Sequence, residues 1–302
     1  PFASVSTDSR RIVTGELFIA LRGANFDGHL FVDAVKALGA AGAIVDEAWQ
    51  GSSDLPLVIV PDTRLALGTL AGAWRARFAI PVIGVTGSNG KTSVKEMCAA
   101  ILRAHAQLEG EPAEDVLATV GNLNNDIGLP LMLLRLKPTT RAAVIEMGMN
   151  HPGEIAYLSN LARPTVAIVN NAQRAHLEGM GGLDAIATEK GEIYSGLGEG
   201  GVAVINADDA HAELWRGLNK GRETLSFGIE TPADVSANFS LLGLGSQIDL
   251  TTPQGRVSFT LQVPGLHNVR NATGAAAACL AAGLPLQAVQ KGLAGFRGTH
   301  GR

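Results

Sequence analysis

Cysteine occurs twice, tyrosine twice and tryptophan three times in 302 residues, and aromatic side chains together amount to 5%. Two cysteines cannot build a disulfide framework. Cys98 and Cys279 lie in Ala-rich helical patterns and read as small buried residues in a reducing cytosol. Charge is also scarce: 24 Lys+Arg against 28 Asp+Glu give −4, with 17% charged residues. No cationic excess exists to displace counterions from nucleic acid. No apolar run reaches the ~18–20 residues that a membrane span needs; the most apolar stretch, 274–286, is broken by Gly283 and Pro285. A basic-then-apolar leader is missing, and no Met opens the chain, which reads as a removed start. These gaps argue against nucleic-acid-binding, membrane-spanning and disulfide-stapled classes, and predict a cytoplasmic protein.

What is plentiful is apolar surface and glycine. With 46% hydrophobic residues the chain can bury a sizeable core, and its length suggests two domains. The 37 glycines exceed the usual ~7% and suggest many tight strand-to-helix turns. Residues 1–80 alternate short β-rich runs (16–21, 57–61) with helical spacing over 31–41 and 63–79, and Asp62-Thr63 offers an N-cap. Ile80–Pro81 reads as a domain boundary. From Val82 the rhythm becomes strand, turn, helix: strands near 82–87, 142–148, 165–171 and 201–209, helices over 91–105, 153–162, 183–197 and 210–219. Uninterrupted apolar strands separated by helices imply a parallel sheet covered on both faces. Residues 223–263 alternate in and out and are expected to form antiparallel strands on one flank, followed by helices over 268–282 and 286–296. The expected fold class is α/β, a small N-terminal domain before a parallel-sheet domain with an antiparallel flank.

The strongest local signal is Gly84-Val-Thr-Gly-Ser-Asn-Gly-Lys-Thr92. An apolar strand runs into a Gly-rich turn that opens a helix, so backbone N–H groups and the helix N-terminus converge where a phosphate would sit. Lys91 can reach β/γ-phosphates and the Thr92 hydroxyl can ligate Mg²⁺. The match to G-x-x-x-x-G-K-[ST] is imperfect, since Val85 occupies the first glycine position. A turn that merely packs helix on sheet is the plainer alternative; the strand before and helix after favour mononucleotide binding.

Three further residues are candidate ligands. Glu146 ends a strand, where α/β proteins bind ligands; His176 follows another strand end, and Lys190 lies in a helix. Singly, an edge carboxylate, a loop histidine and a solvated lysine would explain them. Beside a phosphate loop they fit a Mg²⁺-nucleotide site, although Mg²⁺ prefers oxygen to imidazole. The Asn-rich stretch 119–130 could bind a polar substrate or be a plain Asx-turn loop. Asn268 reads as an N-cap, and Asn271 could read an adenine edge.

TGSNGKT, Glu146, the AHLEG loop, EKGEIY and GLHNVRNA, in this order, resemble the central domain of the Mur ligases, ATP-dependent amide-forming enzymes of peptidoglycan synthesis. Stretches 6–29, 121–130, 146–155 and 170–182 resemble the members that add D-alanyl-D-alanine to UDP-N-acetylmuramoyl-tripeptide. The resemblance covers nearly the whole chain. It implies that Asp8, Ser9, Arg10, Asp27, Gly28 and His29 hold the UDP-sugar and that Asn124 and Asn125 line the cleft by the peptide carboxylate. It implies that Gly87, Ser88, Asn89, Gly90, Lys91, Thr92 and Ser93 cradle ATP phosphates, with Asn268 and Asn271 near the adenine. Thr92, Glu146, His176 and a carbamylated Lys190 would serve two Mg²⁺ sites, since this family does use a histidine there. Lys91, Lys190, His176 and Glu146 would then be the catalytic set. The implied domains are 1–80 for the UDP-substrate and 81–302 for ATP, with the family's C-terminal domain absent, turnover poor, and a monomer expected. A folylpolyglutamate-type ligase, another Mur ligase or a non-catalytic nucleotide-binding module remain the alternatives.

Overall fold

The computed structural model describes residues 2–173 and 182–298. One all-parallel sheet and one larger mixed sheet organise it. The first has four strands: β1 (Val5–Ser6), β2 (Leu17–Ile19), then, after a two-residue hairpin of β3 (Arg22–Gly23) and β4 (Phe26–Asp27), β5 (Gly42–Asp46) and β6 (Leu57–Val60). They pair in the order β1-β2-β5-β6, all parallel. Helix α1 (Val32–Ala37) is shorter than the expected 31–41: a 3₁₀ turn, Gly28–Phe31, precedes it, and the chain leaves the helix at Leu38 before Gly39, whose φ is +90°.

Helix α2 (Thr63–Arg75) begins where Asp62 accepts from the N–H groups of Arg64 (2.7 Å) and Leu65 (2.9 Å). It faces both sheets: Leu67 is buried in the core of the first and Ala71 in that of the second. The buried Arg75 guanidinium donates to the carbonyls of Ala162 (2.8 Å), Phe78 (2.5 Å) and Arg163 (3.0 Å), and Trp74 Nε1 donates to Leu136 O.

The second sheet holds nine strands. β7 (Val82–Thr86), β8 (Val116–Ala118), β9 (Ala142–Glu146), β10 (Val166–Val169), β11 (Val202–Asn206) and β12 (Thr224–Gly228) are joined by β13 (Val235–Leu241), β14 (Ser246–Thr252) and β15 (Gly255–Leu261), in the order β15-β14-β13-β12-β11-β10-β7-β9-β8. Alternate strand residues feed two cores: Ile83, Val85, Val144, Ile168 and Val204 on one face, Val82, Ile145, Val169 and Ile205 on the other. Covering both faces explains the unbroken apolar strands.

The flank departs from the sequence reading. β12 runs parallel to β11 and β13 runs parallel to β12, and antiparallel pairing begins only at β13–β14. The Asp208 carboxylate holds the start of the connection, accepting from the N–H groups of Ile229 (2.8 Å), Glu230 (3.1 Å) and Thr231 (2.7 Å), and β13 begins beside the end of β12. In–out alternation reports one exposed face, not strand direction.

The helices on the second sheet are α3 (Lys91–Leu108), α4 (Gly128–Leu133), α5 (Glu154–Ala162), α6 (Leu183–Gly191), α7 (Ala212–Leu218), α8 (Leu266–Ala281) and α9 (Leu286–Gly295). The helix expected over 183–197 changes to a 3₁₀ turn, Glu192–Gly196, where a Cβ on Gly196 would stand 2.3 Å from Ser159 O. Cys98 and Cys279 are buried free thiols between α3 and α8, as expected. No helix among the described residues is long and apolar enough to cross a membrane.

Candidate active site

The turn after β7 is built as a phosphate loop would be. Gly90 caps α3 with φ +76°, a left-handed conformation that glycine adopts without penalty. A Cβ there would also lie 2.5 Å from Asn271 Oδ1 and 2.7 Å from Asn170 Nδ2. Three asparagines tie the loop down. Asn170 Nδ2 donates to Asn89 O (2.9 Å) and to Asn271 Oδ1 (3.0 Å), while Asn171 Oδ1 accepts from Asn89 N (2.9 Å). Ser88 Oγ donates to Gln173 O (2.9 Å). The loop therefore stands pre-organised ahead of any ligand. Lys91 Nζ folds back over it, donating to Gly87 O (2.8 Å) and Ser88 O (3.2 Å). Thr92, the second residue of α3, is half-buried.

Beside this loop opens a cavity of about 860 Å³, whose walls include Asn89, Ser93, Asp209, His267, Asn268 and Arg270. Its size and mixed polarity suit a nucleoside with its phosphates. Two sequence expectations change here. Asn268 is not the N-cap of α8: Gly265 (φ +97°) takes that place, and Asn268 Nδ2 donates back to Pro264 O (2.8 Å). Asn271 lines the cavity but is 5% exposed, its Oδ1 already accepting from Asn170, so its amide oxygen supports the loop.

A smaller cavity of about 130 Å³ brings together Lys91, Lys190, Asn124 and Asn125. Glu146, at the end of β9, is 2% exposed. Its Oε1 accepts from Asn124 Nδ2 (2.8 Å), and its Oε2 is buried with no hydrogen-bond partner. A buried carboxylate oxygen left unpartnered is unfavourable and calls for a cation or donor. With a Thr92 hydroxyl at the start of α3, that oxygen fits a hard divalent ion such as Mg²⁺. Among the described residues no group of three or more His, Cys, Asp or Glu is placed to hold a metal, and His176 lies outside the described residues.

Lys190 is far from the solvated lysine of the plainer reading: it is 2% exposed. Burial, with the charge of Lys91 second, pulls its ammonium down to about 7. Its neighbour Glu189 fixes α6, accepting from Gly153 N (2.9 Å) and Ile155 N (3.0 Å) at the start of α5.

The residues assigned to the UDP-sugar line neither cavity and lie in the turns and the β3–β4 hairpin beside the first sheet. Asp8 accepts from Arg10 N and pairs with the exposed Arg10 guanidinium (2.9 Å), with Ser9 in the turn between them. His29 is 3% exposed and both ring nitrogens are engaged: Nε2 accepts from Asp46 N (2.9 Å), so Nδ1 carries the proton and donates to Asp27 Oδ1 (2.6 Å). It braces the turn through both ring nitrogens. Gly28 packs on the chain, since a Cβ would stand 2.9 Å from Leu21 N. The bracing of the loop by residues 170 and 171 was not read from the sequence, where only an Asn-Asn pair after a strand signalled it.

Two family models match. One described as the Mur ligase middle domain covers residues 85–279, and one described as the Mur ligase family, catalytic domain, covers residues 1–75. The chain is 45% identical over 301 residues to the UDP-N-acetylmuramoyl-tripeptide–D-alanyl-D-alanine ligase of Escherichia coli, covering 99% of this chain and 64% of that one. Among solved structures it resembles MurF from Acinetobacter baumannii (41% identity, TM-score 0.91, 99% of this chain and 64% of that chain). It also resembles MurF from Thermotoga maritima in complex with ADP (28% identity, TM-score 0.83, 99% and 67%). The chain spans less than two thirds of the length of its curated E. coli relative.

Proposed function

The chain belongs to the Mur ligase family, and we propose that its protein is the cytoplasmic, ATP-dependent ligase that joins D-alanyl-D-alanine to UDP-N-acetylmuramoyl-tripeptide. In this reading residues 1–80 receive the UDP-substrate and residues 81–302 carry the ATP site, and the protein acts as a monomer without nucleic acid. The observation that carries it is the smaller cavity, where the phosphate-loop lysine Lys91, the buried Lys190 and the amides of Asn124 and Asn125 converge.

The peptide carboxylate attacks the γ-phosphorus of ATP, giving an acyl phosphate and ADP; the dipeptide amine then attacks the acyl carbon and phosphate leaves. Carboxylate and triphosphate are both anionic, so the residues here must offset their repulsion while holding them in line. The α3 N-terminus would face the phosphates, and Lys91, released from its two carbonyls, would take phosphate oxygens in their place. Thr92, Glu146 and His176 would hold Mg²⁺, and Lys190, as a carbamate, would serve a second ion. Bound magnesium would supply charge neutralisation at the reacting phosphate. Asn124 reaches from Glu146 towards the cavity and Asn125 lines it beside Lys91, so their amides can orient the peptide carboxylate. Asn170 holds the loop through Asn89 O and Asn271 Oδ1.

Calorimetric titration tests this reading, with UDP-N-acetylmuramoyl-tripeptide against UDP alone, and separately with ADP. Binding that needs both the nucleotide and the peptide of the muropeptide supports it. ADP binding without muropeptide binding overturns the ligase assignment and leaves a nucleotide-binding module.

A further inference from the structure

Thr119 sits at the end of the edge strand β8, 1% exposed, where the Asn-rich loop begins. Its N–H donates to Val144 O (3.0 Å), a regular parallel ladder bond to β9. The next bond of a parallel ladder would bring the Glu146 N–H to the Thr119 carbonyl. That does not happen. The carbonyl instead accepts from Lys95 Nζ (2.8 Å), a lysine itself only 1% exposed and one turn beyond Lys91 on α3. The Glu146 N–H is taken by the Thr119 hydroxyl oxygen (2.9 Å). One residue thereby joins three parts of the site: the helix that starts at the phosphate loop, the strand that carries Glu146, and the loop whose Asn124 holds Glu146 Oε1.

From this geometry we propose that Thr119 is a positioning residue for Glu146, its hydroxyl substituting for the carbonyl diverted to Lys95 and so setting the direction of the unpartnered Oε2. The proposal rests on the reading of Glu146 as a cation ligand. Lys95 has the supporting part: its buried ammonium, also paired with Glu96 (2.5 Å), draws the carbonyl out of the ladder. The strand can then end and the chain can turn away while the β9 amide remains satisfied. Groups that orient a metal ligand typically matter for affinity by roughly 10–100-fold when removed.

The test is the Mg²⁺ dependence of ADP binding to the full-length protein, read by calorimetry, with thermal melts to establish that each variant is folded at the assay temperature. Thr119→Val keeps the shape and loses the hydroxyl; it is expected to raise the Mg²⁺ midpoint by about tenfold. Thr119→Ser keeps the hydroxyl and should stay within about twofold of the native midpoint. Should Thr119→Val not fold, Thr119→Ala carries the same expectation without placing a methyl against the Glu146 N–H. The proposal is overturned if Glu146→Gln raises the midpoint while Thr119→Val does not, or if Thr119→Ser raises it as far as Thr119→Val. If Glu146→Gln itself leaves the midpoint unchanged, the cation-ligand reading falls, and the inference with it.

Discussion

Lys190 gives up its proton near pH 7, whereas in an unfolded chain it would hold it to about 10.5. Between those values the unfolded state binds more protons, so this group's contribution to stability rises with pH across the window and is least favourable below 7. The neutral amine is also the form that adds CO₂, releasing a proton as the carbamate forms. We expect a carbamate resonance from ¹³C-bicarbonate at pH 8 that weakens as pH falls through 7 and is missing in Lys190→Arg; a signal that survives that substitution assigns the carbamate elsewhere. Lys91 is expected to behave differently. Lys91→Ala removes charge-assisted bonds to phosphate, each about 1.5–3 kcal/mol, so ADP should bind at least about tenfold more weakly. Unchanged ADP affinity would remove Lys91 from the phosphate site. The residue scale is also where sequence reading was least complete. Lys190 stood out only through EKGEIY, and nothing in the order of residues showed that Asn170 would hold Asn271 or that His29 would spend both ring nitrogens on Asp27 and Asp46.

The elements pack closely where side chains are small. In α8, Ala275, Ala276, Ala277 and Ala278 are fully buried, and on α9 a Cβ at Gly292 would stand 2.5 Å from Ile101 Cα of α3. Gly292→Val therefore cannot be absorbed by a side-chain rotation; overpacking of this kind costs about 1–3 kcal/mol or more, visible as a lower denaturant midpoint. A native midpoint would show that α3 and α9 can move apart freely. Element type followed from periodicity, because helices and strands that bury one or both faces must carry the matching apolar spacing. Element ends did not. The 3₁₀ turn from Glu192 and the connection into β13 lie against Ser159 and Asp208, which come from other elements.

Across the whole molecule, the two sheets are joined through α2 rather than merely linked at Ile80–Pro81. Arg75→Met keeps the length of the side chain but strands the carbonyls of Ala162, Phe78 and Arg163. Leaving buried acceptors unpaired costs about 1–3 kcal/mol each, and the expected result is a lower thermal midpoint. A melt identical to that of the native chain would mean that water replaces the guanidinium at no cost. The sequence by itself determined the α/β class, the phosphate loop, the strand-end carboxylate and the family, because these depend on local spacing and on residue types that sit in fixed order along the chain. Only the tertiary structure decided that Lys190 is buried beside Lys91 and that one Glu146 oxygen is left without a partner. It alone decided that the Thr119 carbonyl accepts from Lys95, on the helix that starts at the phosphate loop, while its hydroxyl accepts from Glu146 N. Those properties are set by desolvation and by hydrogen bonds between segments distant in sequence, and neither exists until the sheets close around them.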